Sequence, residues 1–234
     1  MKAFKLALDD FRYHLDMVWI FSLSAIVGMI MFAMAHYPTY SALGGVFLRT
    51  GSLPNIGVMD FLITIIMYGI SLFLISAAVA GTMLITAHKR TKKVIKTEVW
   101  KKLPFFAINT FFLYAFITLV LIAMQLFSLP YYPALAFILF YLTFYIVPAM
   151  IVENEPLGGA LLPAFKMLRK NPLMPIVWAV FGFVVLALAE LITQAILPYE
   201  IARYVVLFFN GVVLLPYLSL LQVHMYMERY PLAR

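Results

Sequence analysis

The sequence predicts an all-α integral membrane protein whose six transmembrane helices form three hairpins. Three observations lead to this prediction. Hydrophobic residues make up 65% of the 234 residues and charged residues only 12%, whereas soluble domains average about 45–50% and about 25%. The apolar residues fall into long segments separated by turn or charge signals. The second half of the chain also contains a repeat with a period of 68 residues. Together they indicate a single membrane domain over residues 1–234.

Six segments are long enough to cross a bilayer. A hydrocarbon core of about 30 Å requires roughly 20 apolar residues in an α-helix. The first segment follows a region that contains Asp9, Asp10 and Asp16 as well as basic residues, and it is longer than the apolar core of a signal peptide. We therefore expect a membrane helix there. The predicted spans are 17–37, 58–86, 105–127, 131–152, 173–197 and 202–226.

Basic residues are distributed unevenly between the two sides of the predicted bundle. Fifteen of the 17 Lys and Arg residues lie before span one, between spans two and three, between spans four and five, and after span six. Only Arg49 and Arg203 lie on the other side. Because short loops rich in Lys and Arg stay in the cytoplasm, we predict a multi-pass protein of the cell membrane with both termini cytoplasmic.

The connection between spans two and three is the most basic part of the chain. Val94, Ile95, Val99 and Leu103 recur among its cationic residues at roughly helical spacing. Such a segment can lie in the headgroup plane of a membrane and attract anionic lipids. The alternative is that the charges only orient the protein. The residues predicted to contact lipid or a partner protein here are Lys89, Arg90, Lys92, Lys93, Lys96, Trp100, Lys101 and Lys102.

Three prolines of the second hairpin recur 68 residues later in the third. Pro104, Pro130 and Pro148 correspond to Pro172, Pro198 and Pro216. We expect the first of each set in the first turn of a helix and the second in an outer turn. The third should lie inside the returning helix and interrupt it, because its N–H is missing. The hairpin units are predicted at residues 1–86, 87–154 and 155–234, and the first matches the repeat only loosely.

Each predicted unit begins with an amphipathic segment on the cytoplasmic side. In residues 156–172, Leu161, Phe165 and Leu168 share one helical face, and apolar residues recur at similar spacing in residues 1–16. The cationic residues of 156–172 lie elsewhere on the helix, so we expect them to face the membrane surface or a partner. These further predicted contact residues are Lys166, Arg169 and Lys170.

The stretch 145–177 has a distinctive order of residue types. An apolar-Pro-Ala run is followed by acidic residues, Gly and Ala, and then by an aromatic residue, basic residues and Asn before the next helix. This order resembles the membrane-domain family that accompanies some glycerophosphodiester phosphodiesterases, and related uncharacterised polytopic membrane proteins of archaea and bacteria. In those phosphodiesterases catalysis belongs to a separate soluble barrel domain. The resemblance implies a non-catalytic six-helix membrane module and supplies no substrate.

Polar residues within the predicted spans are further candidates for function, because each is costly in lipid unless it is paired or hydrated. Glu190 and Gln194 share one face of span five, and Asp60 opens span two from the same side. These three residues form the predicted intramembrane polar site. If Glu190 faces a cavity, it can bind a proton or a cation. The alternative is that Glu190 pairs with Arg203 or Arg49.

The sequence predicts no enzyme, metal or cofactor site. The chain has no cysteine, and its four histidines stand far apart. Asp9, Asp10 and Asp16 either form a small acidic patch that accepts Mg²⁺ or pair with local basic residues, and pairing is the more ordinary outcome. No nucleophile, base and electrophile can be assembled from neighbouring positions. We therefore expect no catalytic activity.

Two functional hypotheses follow. The first is a non-catalytic membrane module that binds lipid headgroups, anionic ones among them, or partner proteins at its cytoplasmic face. The second is a small secondary transporter or channel that uses the intramembrane polar site. Ser24 with Gly28, and Ala77 with Gly81, permit close helix contact within one chain or in a homo-oligomer, and we expect the internal use. No nucleic-acid partner is expected.

Overall fold

The computed structural model describes residues 2–34, 58–88, 96–127 and 131–228. Within these residues every regular element is a helix and no strand occurs. The helices are α1 (Lys2–Tyr13), α2 (Leu15–Met34), α3 (Val58–His88), α4 (Lys96–Leu126), α5 (Tyr132–Thr143), α6 (Ile146–Glu153), α7 (Leu157–Lys170), α8 (Met174–Ile196), α9 (Tyr199–Phe209), a π-helical turn (Asn210–Leu214) and α10 (Leu215–Met227).

Several helical stretches among the described residues are long and apolar enough to cross a membrane. Five qualify by themselves: Leu62–His88, Lys96–Met124, Pro133–Glu153, Met174–Ile196 and Ile201–Met227. A sixth is present if α1 and α2, which meet at a bend of 92°, are counted as one broken span. The all-helical fold predicted from the sequence is therefore confirmed for the described residues, together with five to six helices long and apolar enough to span a membrane. The count of six and the orientation of the chain stay predictions.

The helices pack most tightly at one end of the bundle, which we call the basic end. It contains α1, the end of α3, the start of α4, α6, α7 and the end of α10. Met83, Met150 and Leu221 are fully buried there. By contrast, only 6% of the apolar stretch of α8 is buried inside the protein. Lipid is as apolar as a protein interior, so apolar side chains that face lipid have no hydrophobic driving force for burial against protein. The low burial of α8 therefore fits a helix surrounded by lipid.

The two longest helices extend beyond the thickness of a bilayer. α3 and α4 contain 31 residues each, which corresponds to about 46 Å at a rise of about 1.5 Å per residue. A hydrocarbon core is only about 30 Å thick. At the basic end, α1 packs on α10 and α7 packs on α6. The buried core is therefore a helical layer built from the ends of the long helices together with α1 and α7.

Pro148 and Pro216 each accompany an interruption of the returning helix. A proline has no N–H to bond the carbonyl four residues earlier in a helix. The chain leaves regular helix between α5 and α6, just before Pro148, and it forms the π-helical turn just before Pro216. The interruptions predicted at these two prolines are therefore present.

Side chains of other helices approach the carbonyls that lie four residues before the two prolines, where the usual N–H partner is missing. The side-chain amide of Gln222 donates to the carbonyl of Phe144, four residues before the first proline. The hydroxyl of Ser22 donates to the carbonyl of Val18 in its own helix at 2.7 Å and also lies 3.4 Å from the carbonyl oxygen of Val212, four residues before the second. Each interruption thus becomes a contact point between helices that are distant in sequence.

Pro104 is placed differently from the prediction. The sequence put it in the first turn of a helix, but α4 begins eight residues earlier, at Lys96, and Pro104 lies inside it. Lys and Glu are good helix formers, and the early part of α4 is anchored because Val99 and Phe106 are buried on either side of the proline. The basic residues from 96 onward are thus part of the long helix rather than a separate surface segment.

Small residues let α2 and α3 approach closely. The hydroxyl of Ser24 donates to the carbonyl of Leu74 at 3.1 Å, and the hydroxyl of Ser71 donates to the carbonyl of Gly28. A Cβ atom added to Gly28 would lie 2.8 Å from the Ser71 carbonyl oxygen. Gly81 similarly leaves room for the ring of Phe21. The internal use expected for these glycines is confirmed.

Candidate functional site

Helix α7 has two faces of different character. Ala160, Ala164, Met167 and Leu168 are buried and form the face that packs against the rest of the basic end. Their spacing of four, three and one residues places them on one side of a helix. The two alanines allow the backbones to approach closely. This face fixes the orientation of α7.

The other face of α7 exposes large apolar side chains beside positive charges. Leu161, Leu162 and Phe165 are 39%, 63% and 45% exposed. Leu168 shares the helical spacing of Leu161 and Phe165, as the sequence indicated, but it lies at the border with the packed face and is only 7% exposed. The predicted contact residues of this helix, Lys166, Arg169 and Lys170, are all exposed. Apolar and cationic side chains arranged in this way are typical of a helix at a membrane interface.

The predicted contact residues at the start of α4 have mixed environments. Lys96 forms an ion pair with Asp16, and Lys102 donates to the side-chain oxygen of Asn154 at 2.9 Å. The ring of Trp100 is half-exposed and lies 5.6 Å from that of Phe21. Lys101 is exposed. The other members of the predicted set, Lys89, Arg90, Lys92 and Lys93, lie outside the described residues.

A buried contact between a histidine and an aspartate joins the first and last described helices. Nε2 of His224 in α10 lies 2.7 Å from Oδ2 of Asp10 in α1, and both side chains are almost completely buried. The neighbouring hydroxyl of Tyr217 donates to the carbonyl of Phe4 at 3.3 Å. A charge-assisted hydrogen bond of this length is among the stronger polar contacts in proteins. The amino-terminal helix is therefore attached to the core.

Sequence reasoning missed this pair. It assigned Asp10 to an acidic patch or to local pairing, and the partner stands 214 residues away. A signal was present, because Asp10 follows Ala3 and Ala7 at helical spacing, and the three residues form the buried face of α1. The sequence could thus have indicated that Asp10 is buried. It could not have identified His224 as the residue opposite.

A second histidine has a similar position at the end of α3. Nδ1 of His88 lies 3.0 Å from the carbonyl oxygen of Leu84, and its Nε2 lies 3.2 Å from Oε2 of Glu98 in α4. His88 and His224 thus each face a carboxylate of another helix at the basic end. Within the described ranges, no group of three or more His, Asp or Glu residues is arranged to hold a metal ion.

Two buried tyrosines beside these pairs differ in their hydrogen bonding. The hydroxyl of Tyr226 donates to Oε1 of Glu153 at 2.8 Å. The ring of Tyr145 lies 6.0 Å from that of Tyr226, but the buried hydroxyl of Tyr145 finds no hydrogen-bond partner in the described part of the chain. The basic end therefore contains one satisfied and one unsatisfied phenol in adjacent positions.

The predicted intramembrane polar site is partly assembled around a small cavity. The amide of Gln194 donates to Oε1 of Glu190 at 3.0 Å. Both residues line a cavity of about 220 Å³ together with Arg203 and Asn210. No ion pair joins Glu190 to Arg203 in the described residues, and Arg203 instead lies over the ring of Tyr199, 5.8 Å from its centroid. The side chain of Asp60 lies outside what the structure describes.

A larger crevice of about 330 Å³ lies between the second and third predicted hairpins. Side chains of α4, α5, α6, α8 and α10 line it, and most of them are apolar. Trp178 and Phe140 form its aromatic wall. Sequence reasoning did not identify this crevice, because only the packing of the two hairpins creates it.

Comparisons with known proteins give no further assignment. No protein-family model, no curated protein and no solved structure matches the chain. The resemblance to the membrane domains that accompany some glycerophosphodiester phosphodiesterases therefore stays a prediction. The functional argument depends on the geometry of the candidate sites themselves.

Proposed function

We propose that this protein is a non-catalytic membrane module, with six transmembrane helices in three hairpins and both termini in the cytoplasm, whose basic end binds anionic lipid headgroups. One observation carries the proposal. The free face of α7 exposes Leu161, Leu162 and Phe165 beside three cationic residues. This combination matches the apolar and anionic layers at the surface of a bilayer.

The fixed orientation of α7 makes the surface an effective binding site. Its opposite face is buried through Ala160 and Ala164, so the cations are presented without the cost of folding a segment on binding. Each basic residue close to an anionic leaflet contributes about 1 kcal/mol. Three such residues contribute roughly 3 kcal/mol, or about 150-fold in affinity.

Native mass spectrometry of the detergent-extracted protein tests the proposal. Phosphatidylglycerol and phosphatidylcholine with identical acyl chains are titrated against the wild type and against a variant with Lys166→Gln, Arg169→Gln and Lys170→Gln. We expect the wild type to prefer phosphatidylglycerol and the variant to lose most of that preference. A variant with Lys166→Arg, Arg169→Lys and Lys170→Arg keeps the charge and should keep the preference.

The outcomes separate lipid binding from its alternatives. Equal lipid preference in the wild type and the neutral variant contradicts the proposal. A co-purifying protein that is lost only from the neutral variant assigns the surface to a protein partner instead. Arg203→Gln, which removes a charge at the opposite end of the bundle, should leave the adducts unchanged.

The cytoplasmic orientation is testable separately, because the chain contains no cysteine. Tyr131 and Glu155 are exposed at opposite ends of the bundle. We expect Tyr131→Cys to react with a membrane-impermeant maleimide in intact cells and Glu155→Cys to react only after permeabilisation. The reverse labelling pattern would show that the basic end is extracellular.

A transporter or channel is the second candidate, and the cavity at Glu190 is the observation that favours it. A carboxylate and an amide of an otherwise apolar helix can hold a proton or a small cation where they line a cavity. Reconstituted protein should then conduct protons across vesicles loaded with a pH-sensitive dye, and Glu190→Gln should reduce the flux. The control is Glu228→Gln, because Glu228 is an exposed carboxylate at the basic end. Flux that is equal in both variants removes this candidate.

A further inference from the structure

The crevice between the second and third predicted hairpins is large enough for part of a ligand. Its volume of about 330 Å³ is roughly eleven times the share of one molecule in liquid water. It also lies within the range of volumes that hold small molecules in other proteins. Leu113 and Tyr114 of α4 form one side, while Trp178 and Gln222 come from α8 and α10.

Of the four polar side chains in the lining, Tyr114, Thr143, Trp178 and Gln222, the last three are already hydrogen-bonded within the protein. The Gln222 amide donates to the carbonyl of Phe144. The Thr143 hydroxyl donates to a carbonyl one turn earlier in α5 at 2.8 Å, and the Trp178 indole N–H donates to the carbonyl of Leu218 at 2.8 Å. A polar solute would compete for these groups at a cost. The crevice is therefore suited to an apolar chain.

An aromatic wall gives the crevice a defined shape. The ring of Trp178 is stacked on that of Phe140 with 5.8 Å between centroids and 30° between planes. It meets the ring of Phe144 edge to face at 5.4 Å. Because the indole N–H is fixed by its hydrogen bond, the wall is held in place. A flexible hydrocarbon chain can lie along such a surface without rearranging it.

The wall of the crevice is close to the cationic end of α7. The hydroxyl of Tyr141, next to Phe140, donates to the carbonyl of Pro172 at 3.0 Å. Arg169 and Lys170 come three and two residues before Pro172, and both are exposed. An apolar crevice thus lies close to two exposed cationic residues. This arrangement is complementary to a molecule with a hydrocarbon chain and an anionic head.

We propose that the crevice holds one acyl chain of an anionic membrane phospholipid whose headgroup is bound by Arg169 and Lys170. The inference rests on the proposed function and goes beyond it, because it assigns a single defined site and one bound lipid rather than a general attraction to the membrane surface. The two cationic residues bind the anionic headgroup, and the apolar crevice binds the acyl chain.

Filling the crevice tests the proposal without changing any charge. Ala136 of α5 lines the crevice, whereas Ala134, two residues earlier, is exposed. The measurement is native mass spectrometry with phosphatidylglycerol as the probe. We expect one adduct that survives mild activation in the wild type, at least about tenfold weaker binding for Ala136→Phe, and wild-type binding for the matched control Ala134→Phe.

The outcomes distinguish this inference from the proposed function. If Ala136→Phe binds phosphatidylglycerol like the wild type while Lys166→Gln with Arg169→Gln and Lys170→Gln does not, the crevice is refuted and the headgroup surface stands. If Ala136→Phe loses the tight adduct and the neutral variant keeps the preference for phosphatidylglycerol, the acyl-chain crevice stands, whereas the headgroup contact with Arg169 and Lys170 and the proposed function both fail.

Fluorescence quenching supplies a second measurement that leaves the crevice intact. The chain has three tryptophans, and Trp19→Phe with Trp100→Phe leaves only Trp178. Phosphatidylglycerol brominated in its acyl chains should quench Trp178 at a lower mole fraction than equally brominated phosphatidylcholine. Quenching that is the same for both lipids contradicts the inference, even if Ala136→Phe fails to fold.

Discussion

The buried pair between Asp10 and His224 should be one of the most sensitive polar contacts in the protein. Asp10 is completely buried and His224 is 3% exposed, and their side chains lie 2.7 Å apart. Replacing either one alone leaves the other buried without this partner. Loss of the hydrogen-bond partner of a buried polar group typically costs about 1–3 kcal/mol, and more when the group is charged.

The expected magnitude follows from this burial. We predict that Asp10→Ala and His224→Ala each lower the free energy of unfolding by about 3 kcal/mol, which is about a 150-fold change in the unfolding equilibrium. The double variant should cost clearly less than the sum of the two, because it leaves no uncompensated member of the pair. We expect a coupling energy of about 2 kcal/mol.

The assay is reversible unfolding in mixed detergent micelles, followed by circular dichroism for the four members of the double-mutant cycle. Asp9→Ala is the matched control, since Asp9 carries the same side chain on the same helix but is only partly buried. It should change stability by no more than about 0.5 kcal/mol. Equal effects of Asp9→Ala and Asp10→Ala, or strictly additive effects in the cycle, would refute the reasoning.

Two further predictions concern buried groups with matched controls. Tyr226→Phe should lower the free energy of unfolding by about 1–3 kcal/mol because it removes a hydrogen-bonded buried hydroxyl. Tyr145→Phe should be neutral or stabilising because its hydroxyl has no described partner. Equal losses of stability in chemical unfolding would contradict this. Gly28→Ala should lower the midpoint of thermal unfolding because the added Cβ would lie 2.8 Å from the backbone oxygen of Ser71. Gly69→Ala should leave the midpoint unchanged because its Cβ would have no other atom within 4 Å. The reverse order would show that α2 and α3 are packed differently.

Composition and proline positions predict much of the fold. The share of apolar residues predicts the membrane class because lipid replaces water around most of the chain. Pro148 and Pro216 mark the helix interruptions because a missing N–H acts locally, whatever the tertiary packing. The close contact between α2 and α3 is likewise indicated by Ser24 and Gly28, since small side chains are useful there only if another backbone approaches.

The orientation of α7 could not be predicted in the same way. In a soluble helix the larger apolar residues identify the buried face. On α7 that rule would select Leu161, Phe165 and Leu168, of which only Leu168 is buried. Beside a membrane, large apolar side chains are equally suited to lipid, and the protein-facing side is lined in part by Ala160 and Ala164. Hydrophobicity alone therefore does not separate the two faces.

The distribution of packing also bears on the choice between binding and transport. A route from the cavity at Glu190 to the other side of the membrane has to pass the basic end, where Met83, Met150 and Leu221 are fully buried. Among the described residues the interior there is closed by packing and by the pair between Asp10 and His224. Opening it would separate α1 from α10 and break this buried contact, which is costly. A binding surface on α7 requires no such rearrangement, and this difference favours lipid binding over transport.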